Sequence, residues 1–235
     1  MSIRLLKYGF IDNHAEERWF NPAKELQDSY DVVIIGAGGH GLACAYYLSH
    51  YHDVRKVAVL EKNYIGAGNT GRNTTIIRSN YLTEEGVKFY GESVRLFNQL
   101  SEELETNIFF SERGHFTLAH SDATLRTARW RAEVNKHYGI ESSVVGPSEV
   151  KTACPEIDLS CGGNHPIEGA LFHAPGAVAR HDAVAWGYAK KACQQGVEIH
   201  QHTEVEGINI ENNKSLLLIL KITSNKQKTR FGMDK

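Results

Sequence analysis

Three glycines and an acid carry the first chemistry legible in this chain. Gly36, Gly38 and Gly41 stand at G-x-G-x-x-G spacing within DVVIIGAGGHGLACAYYLSHYHDVRKVAVLE (Asp31–Glu61), and Glu61 follows Gly41 by twenty residues. Each suits the holding of a dinucleotide: Gly36 allows a tight turn out of a strand, Gly38 lets the backbone approach a pyrophosphate, and Gly41 lets the next helix pack closely on the sheet. The N-terminus of that helix turns N–H groups and a positive dipole end toward phosphate. Glu61 can accept hydrogen bonds from a ribose, and its charge repels a 2′-phosphate. The motif follows an apolar strand, Val32–Ile35, and opens a helix with small residues at Ala43 and Ala45. A glycine-rich turn without a ligand is the competing reading.

The stretch after Glu61 narrows the ligand. An ordinary helix would follow in a nicotinamide-binding unit, whereas here the chain runs Gly66-Ala67-Gly68-Asn69-Thr70-Gly71-Arg72-Asn73-Thr74-Thr75-Ile76-Ile77-Arg78. Small and hydroxyl-bearing residues let the backbone pass close under a large planar ring, with N–H groups free to bond the ring edge and pyrophosphate. The remaining reactive side chains are less telling. Cys44, Cys154, Cys161 and Cys193 are scattered and form no C-x-x-C, so reduced structural thiols are expected. Of twelve histidines, His50, His52, His120, His137, His200 and His202 stand singly and are expected at the surface. His200 and His202 alternate on an expected strand and would share a face, but two imidazoles without a third ligand predict no metal site.

The elements that must position these groups follow from periodicity. A helix is expected over Thr83–Glu105, with Val87, Tyr90, Val94 and Phe97 at helical spacing and Leu100 one step further. Ile108–Phe110 and His115–Ala119 flank Ser111–Gly114 as a hairpin. Ser121 caps a helix running to Tyr138 with Gly139 as its stop, and Pro147–Ala153 is a short helix. Gly169–Phe172 is a strand. Asp182–Gln195 is a helix with Ala185, Ala189 and Ala192 on one stripe and Gly196 past its end. Val197–His200 and Val205–Ile210 are further strands. The fold class expected is α/β: a Rossmann-like FAD-binding domain with a glutathione-reductase-like ββα-type core and an inserted α+β substrate-domain segment, incomplete at the C-terminus. The domains are an N-terminal arm (1–29), the FAD-binding domain (30–82 and 165–213), a partial substrate or cap domain (83–164) and an atypical tail (214–235).

Bulk properties exclude other classes. At 235 residues, 41% hydrophobic and 23% charged, the chain has the composition of a soluble globular protein. A net charge of −2 leaves no electrostatic footprint for nucleic acid or an anionic membrane. Ser215–Ile222 is the closest approach to a membrane span and is interrupted by Lys221, well short of the roughly 20 residues a span needs. The stretch Ile11–Arg18 is too polar for a signal peptide, which predicts a cytoplasmic protein.

Beyond these residues, GGHGLACAYYL, LEKNYIGAGNTGRNTTIIRSNYL, FSERGHFTLAH and VARHDAVAWGYA resemble the FAD-dependent amine oxidoreductases of the D-amino-acid oxidase superfamily. Within it they are most similar to the beta subunits of heterotetrameric sarcosine oxidases, over roughly Ser29–Ile210. The resemblance implies non-covalent FAD held by Gly36, Ala37, Gly38, Gly39, His40, Gly41, Glu61, Lys62, Asn69, Arg72 and Val205, with Asn73, Thr74 and Thr75 against the flavin. It implies that Arg78 binds the substrate carboxylate, which a guanidinium fork can grip bidentately; a structural salt bridge is the alternative for Arg78. His181, in Arg180-His181-Asp182, would carry FMN covalently through a ring nitrogen. At a helix N-terminus the dipole disfavours imidazolium and favours a neutral, nucleophilic ring. Asp182 could equally be a simple N-cap. His173, eight residues earlier in Phe172-His173-Ala174-Pro175, reads as a bland strand-to-turn position.

The activity implied is oxidation of sarcosine, or a similar N-methyl amino acid, by hydride-equivalent transfer to FAD. Electrons would pass to FMN and then to oxygen, giving hydrogen peroxide. The products would be glycine and formaldehyde, or methylene-tetrahydrofolate formed on a partner, with alpha, gamma and delta subunits completing a heterotetramer and neither nucleic acid nor membrane bound. Two other readings stay open: a different enzyme on the same scaffold, such as a glycine oxidase or an N-methyl amino-acid dehydrogenase, which the Arg-His-Asp segment argues against, and a catalytically inactive flavin-binding fragment. The latter follows from Lys214–Lys235, an apolar run and basic tail that resembles the end of a truncated or frame-altered chain, where relatives continue into further flavin-contacting segments; a natural short protein is the alternative.

Overall fold

The computed structural model describes residues 25–160, 165–211, 215–222 and 228–232. Most of the expected arm, Cys161 and parts of the expected tail lie outside the described residues. In chain order the elements are β1 (Val32–Ile35), α1 (Gly39–Tyr51), β2 (Val57–Leu60), a 3-10 turn (Asn69–Arg72), β3 (Ile76–Ile77), α2 (Glu84–Glu103), β4 (Ser111–Glu112), β5 (His115–Ala119), α3 (Asp122–His137) and β6 (Ser142–Val145). There follow α4 (Pro147–Ala153), β7 (Gly169–His173), β8 (Ala177–Val178), α5 (His181–Gln194), β9 (Glu198–His200), β10 (Thr203–Glu211), β11 (Ser215–Ile222) and β12 (Lys228–Gly232). The chain divides into two compact units, residues 1–72 with 184–235 and residues 73–183.

The first unit is built on a parallel sheet in the order β1-β2-β9, with Val33 opposite Ala58 and Leu60 opposite His200. β2 is an unbroken apolar run and is buried throughout, as a strand covered on both faces must be. α1 buries Leu42, Ala45, Tyr46 and Ser49, a stripe at helical spacing that leaves Ala43 half-buried beside it. On α5, Ala185, Ala189 and Ala192 are buried as their spacing predicts, and Tyr188 meets Tyr46 with ring centroids 5.7 Å apart. β10, β11 and β12 form an antiparallel meander in which Val205 is in register with Leu220, with an irregularity between Val205 and Gly207. The apolar stretch 215–222, expected as part of a tail, is thus a strand; its eight-residue length is that of a strand.

The second unit holds two small antiparallel sheets. In β5-β7-β6, His115, His173 and Ser142 lie directly across from one another, as do Thr117, Leu171 and Val144. α3 packs Ala128 and Ala132 against Leu171 and Val144. Its ends are set by local chemistry. Ser121 Oγ accepts the Thr124 N–H while Thr124 Oγ1 accepts the Ser121 N–H, and Gly139, at φ +73°, follows the C-cap Tyr138. The other sheet runs β3-β8-β4.

Three expectations give way here. The hairpin across Ser111–Gly114 does not form: β4 pairs with β8 and β5 with β7, so the chain passes from one sheet to the other. The Arg113 and Gly114 N–H groups both donate to the Gly176 carbonyl, which turns the strand away from its expected partner. His200 and His202 do not share a face. β9 ends at His200, and His202 sits in the following turn at φ +57°, exposed, while His200 is only 7% exposed and meets Glu198 at 3.1 Å. Asp182 is not an N-cap, because α5 begins one residue earlier; its carboxylate pairs with Arg180 within the first turn.

Candidate active site

In the first unit the glycine turn, Glu61 and the loop after it form one cradle. Gly36 leaves β1 at φ +103°, a left-handed conformation, with its N–H donated to the Leu60 carbonyl at 2.8 Å. Gly41 admits no side chain: a Cβ there would lie 2.1 Å from the Gly36 carbonyl oxygen. Buried Ala37 ties the cradle together. Its N–H donates to Glu61 Oε2 at 2.9 Å and its carbonyl accepts from the Gly66 N–H at 2.9 Å. The second Glu61 oxygen accepts from the Asn63 N–H at 2.8 Å, so the carboxylate is fixed beside the turn with lone pairs still available for a diol. Val205 packs against the cluster of Tyr30, Ala58 and Leu60. His40, Lys62, Asn69 and Arg72 are exposed on this unit.

One member of the cradle was not singled out from sequence. α1 has no side-chain cap of its own from Gly38, and no acid in its first turn. The Gly39 N–H instead donates to Thr70 Oγ1 at 2.9 Å, from the 3-10 turn. An outside hydroxyl thus satisfies a donor that the helix leaves open, at the place where phosphate oxygens bind in such turns. The signal in the sequence was a threonine inside a glycine-rich run, which spacing alone does not distinguish from a flexible linker.

In the second unit, Asn73 and Thr74 are exposed and Thr75 half-buried. Asn73 Oδ1 accepts the Thr75 N–H at 2.6 Å, and Thr75 takes φ +62° before β3 begins. Three residues on, half-buried Arg78 donates from Nη1 to Asn80 Oδ1 at 2.9 Å and stacks its guanidinium 4.7 Å from the centre of the Tyr81 ring. Among the described residues Arg78 makes no ion pair, so the salt-bridge alternative finds no acid here. Its charge is felt by its neighbours. Burial, and secondarily Arg78, lowers the pKa of His115 and of Arg131, while His173 is lowered by burial, opposed by a backbone hydrogen bond at Glu141 and reinforced by Arg78. Asn80 Nδ2, His115 Nδ1 and Arg131 Nε are buried with no hydrogen-bond partner among the described residues. Asn80 Nδ2 and Arg131 Nε are donors able to serve an anion, as His115 Nδ1 is in its Nδ1–H tautomer, and none was singled out from sequence.

His181 opens α5, and its Nδ1 is buried with no hydrogen-bond partner among the described residues. The backbone N–H of Arg180 donates to the Ile108 carbonyl at 2.8 Å, and the Arg180 side chain lies over Phe109, 5.7 Å from its ring centre. His173, read as bland, is fully buried and bonded on both ring nitrogens.

Residues 31–230 match the family model described as "FAD dependent oxidoreductase". The chain is 45% identical over 204 residues to sarcosine oxidase subunit beta of Arthrobacter sp, covering 87% of this chain and 50% of that one. It is 43% identical to the same subunit of Rhodobacter capsulatus, covering 85% of this chain and 47% of the relative. It therefore spans about half the length of these curated relatives. Among solved structures, L-proline dehydrogenase from P. horikoshii superposes with a TM-score of 0.76 at 26% identity, over 88% of this chain and 52% of that one. Among the described residues no helix is long and apolar enough to cross a membrane.

Proposed function

This chain belongs to the FAD-dependent oxidoreductase family, and on that premise we propose that it takes part in the flavin-dependent oxidation of sarcosine, or a similar N-methyl amino acid, as the counterpart of a sarcosine oxidase beta subunit. The observation that carries the reading is Arg78: a half-buried guanidinium, with no acid paired to it among the described residues, held by a neutral amide and an aromatic ring. Such a cation suits a carboxylate that arrives with a substrate. The identity to two sarcosine oxidase beta subunits supports the choice of substrate.

FAD fits the residues present. The cradle offers the α1 N-terminus to phosphate, Gly41 keeps helix and turn in contact, and each Glu61 oxygen, accepting one backbone N–H, keeps a lone pair for a ribose. Gly36, Ala37, Gly38, Gly39, His40, Gly41, Glu61, Lys62, Asn69, Arg72 and Val205 would hold it, joined by Thr70, with Asn73, Thr74 and Thr75 toward the ring. Bound there, FAD would supply the two-electron acceptor for C–H oxidation next to nitrogen. The chain's own contribution is binding and orientation: Arg78 fixes the carboxylate, which sets the position of the N-methyl carbon. FMN is proposed at His181, whose buried Nδ1 lacks a partner among the described residues and which opens a helix. Hydrogen peroxide, glycine and formaldehyde or methylene-tetrahydrofolate would be the products. Alpha, gamma and delta subunits are the proposed partners, and the cytoplasm the proposed location.

The test is on protein co-expressed with candidate partner subunits. Sarcosine added anaerobically should bleach the flavin, and acid precipitation should leave yellow colour in the pellet that a His181→Ala variant loses. Bleaching with colour only in the supernatant removes the FMN proposal and keeps the oxidoreductase. A preparation that holds flavin yet is bleached by glycine rather than sarcosine favours a glycine oxidase, and one that holds no flavin sinks the whole reading.

A further inference from the structure

Between α3 and the β5-β7-β6 sheet, the packed layer turns from apolar to polar at one end. Ala128, Ala132, Leu171 and Val144 fill one part, and the row Ser142–His173–His115 closes the other. The segment Arg78–Tyr81 meets this polar end. Among the described residues it forms no strand there: the Tyr81 N–H donates to the Ser79 carbonyl at 2.8 Å, and side chains bond the Ser79 N–H and the Tyr81 carbonyl.

The bonds run in one direction. The Ser79 N–H can only donate, and it does so to His173 Nε2 at 3.3 Å. That nitrogen is therefore the acceptor of a neutral ring, and the proton sits on Nδ1. Nδ1 faces the Glu141 carbonyl, which can only accept, at 3.1 Å, and Ser142 Oγ at 3.2 Å. The Ser142 hydroxyl donates to Asn135 Oδ1 at 3.2 Å, and Asn135 Nδ2 donates to the Tyr81 carbonyl at 2.7 Å. The path leaves the segment at the Ser79 N–H and returns to it at the Tyr81 carbonyl. Residue 80 is held on both sides, and Asn80 in turn receives the Arg78 guanidinium. His173 and Asn135 are both fully buried, so water does not replace a lost member at no cost.

We propose that His173, through Ser142 and Asn135, is the positioning residue for Arg78: its neutral Nδ1–H tautomer sets the backbone from which the guanidinium reaches the substrate carboxylate. The proposal rests on Arg78 being the carboxylate-binding group.

The test is kinetic and spectroscopic, on the FAD-loaded protein with its partner subunits. His173→Phe keeps the ring and removes both nitrogens. It should raise the KM for sarcosine and the inhibition constant for acetate together, by about tenfold to a hundredfold, with kcat within about twofold. His173→Gln, whose amide oxygen can accept the Ser79 N–H, should recover most of the loss. Wild-type protein with labelled histidine should show a pyridine-like Nε2 and a pyrrole-like Nδ1 at His173 in long-range 1H–15N spectra; this needs no variant and no activity. The reverse tautomer overturns the proposal, as does a His173→Phe enzyme with unchanged KM and acetate inhibition. Arg78→Lys separates the two ideas. If it leaves both constants unchanged, the role of Arg78 itself is wrong, whereas an effect of Arg78→Lys without one of His173→Phe removes only the positioning role.

Discussion

Gly41→Ala adds one methyl group at the point where α1 crosses the end of β1. The new Cβ would stand 2.1 Å from the Gly36 carbonyl oxygen and 3.3 Å from Ile34 Cγ2. A carbon and a carbonyl oxygen rest no closer than about 3.3 Å, so turn and helix must separate by about an ångström. Neither can yield cheaply. Gly36 is held at φ +103° with its N–H on Leu60, and α1 is packed through Leu42 and Ala45. Alanine gains about 1 kcal/mol of helix propensity, against about 1–3 kcal/mol or more for overpacking. The net effect is a modest loss of stability, but the ligand feels more. Moving the first helical N–H groups by about an ångström takes them out of hydrogen-bond range. Two such bonds to phosphate, at about 1.5 kcal/mol each, amount to roughly a hundredfold in FAD affinity. Gly39→Ala is the control, because its Cβ would meet Thr70 at ordinary distances of 3.7 and 3.9 Å. Denaturant midpoints on the apoprotein and flavin-fluorescence titration read the two effects separately. A Gly41→Ala protein with wild-type midpoint and wild-type FAD affinity would refute the reasoning.

Three further outcomes are expected. Glu61→Gln keeps one acceptor oxygen and loses the other, leaving either the Ala37 or the Asn63 N–H without its partner; FAD affinity should fall about tenfold, measured by the same titration. Thr70→Val removes the hydroxyl that caps α1 through Gly39, so the apoprotein should lose about 1 kcal/mol in a denaturant titration. Acidification should destabilise the fold in two stages. Burial first of all lowers His115, His173 and His200 from the ordinary value of 6.5. The unfolded chain then binds more protons than the folded one below that pH, so stability is full above about 6.5 and declines as pH falls through the folded values. For Glu198 burial acts upward but hydrogen bonds from Tyr30, Gln27 and His200 prevail, and its lowered carboxyl adds a second decline below its ordinary 4.5. A melting temperature level from pH 7 to pH 5 would contradict the assignment of buried neutral histidines.

Elements written in local chemistry were legible. Ser121, Thr124 and Gly139 mark both ends of α3, and the alanine stripe of α5 and the glycine turn need no tertiary information. Elements decided by distant partners were not. Ile108–Phe110 was expected to pair with His115–Ala119 across a turn at Ser111–Gly114, but Gly176, over sixty residues away, takes the N–H groups of Arg113 and Gly114. β6 and β8 gave no periodic signal, since four residues and two residues are too short to carry one.

The same contrast divides the two histidines at the ends of the β7–α5 connection. Without structure, His181 stood out through the family resemblance that its Arg-His-Asp segment carries, and His173 was set aside because its neighbours are ordinary. Their surroundings reverse the emphasis. His173 has every ring nitrogen engaged by groups distant in sequence, at Ser79, Glu141 and Ser142. His181 has a buried nitrogen with no hydrogen-bond partner among the described residues. A fully bonded, buried imidazole is built to hold a shape, whereas a buried nitrogen without a partner is a cost of about 1–3 kcal/mol that a bond to a ligand would remove. The two roles are therefore separable by chemistry. Loss of His181 should cost a flavin and leave carboxylate binding intact, while loss of His173 should cost carboxylate binding and leave every flavin in place.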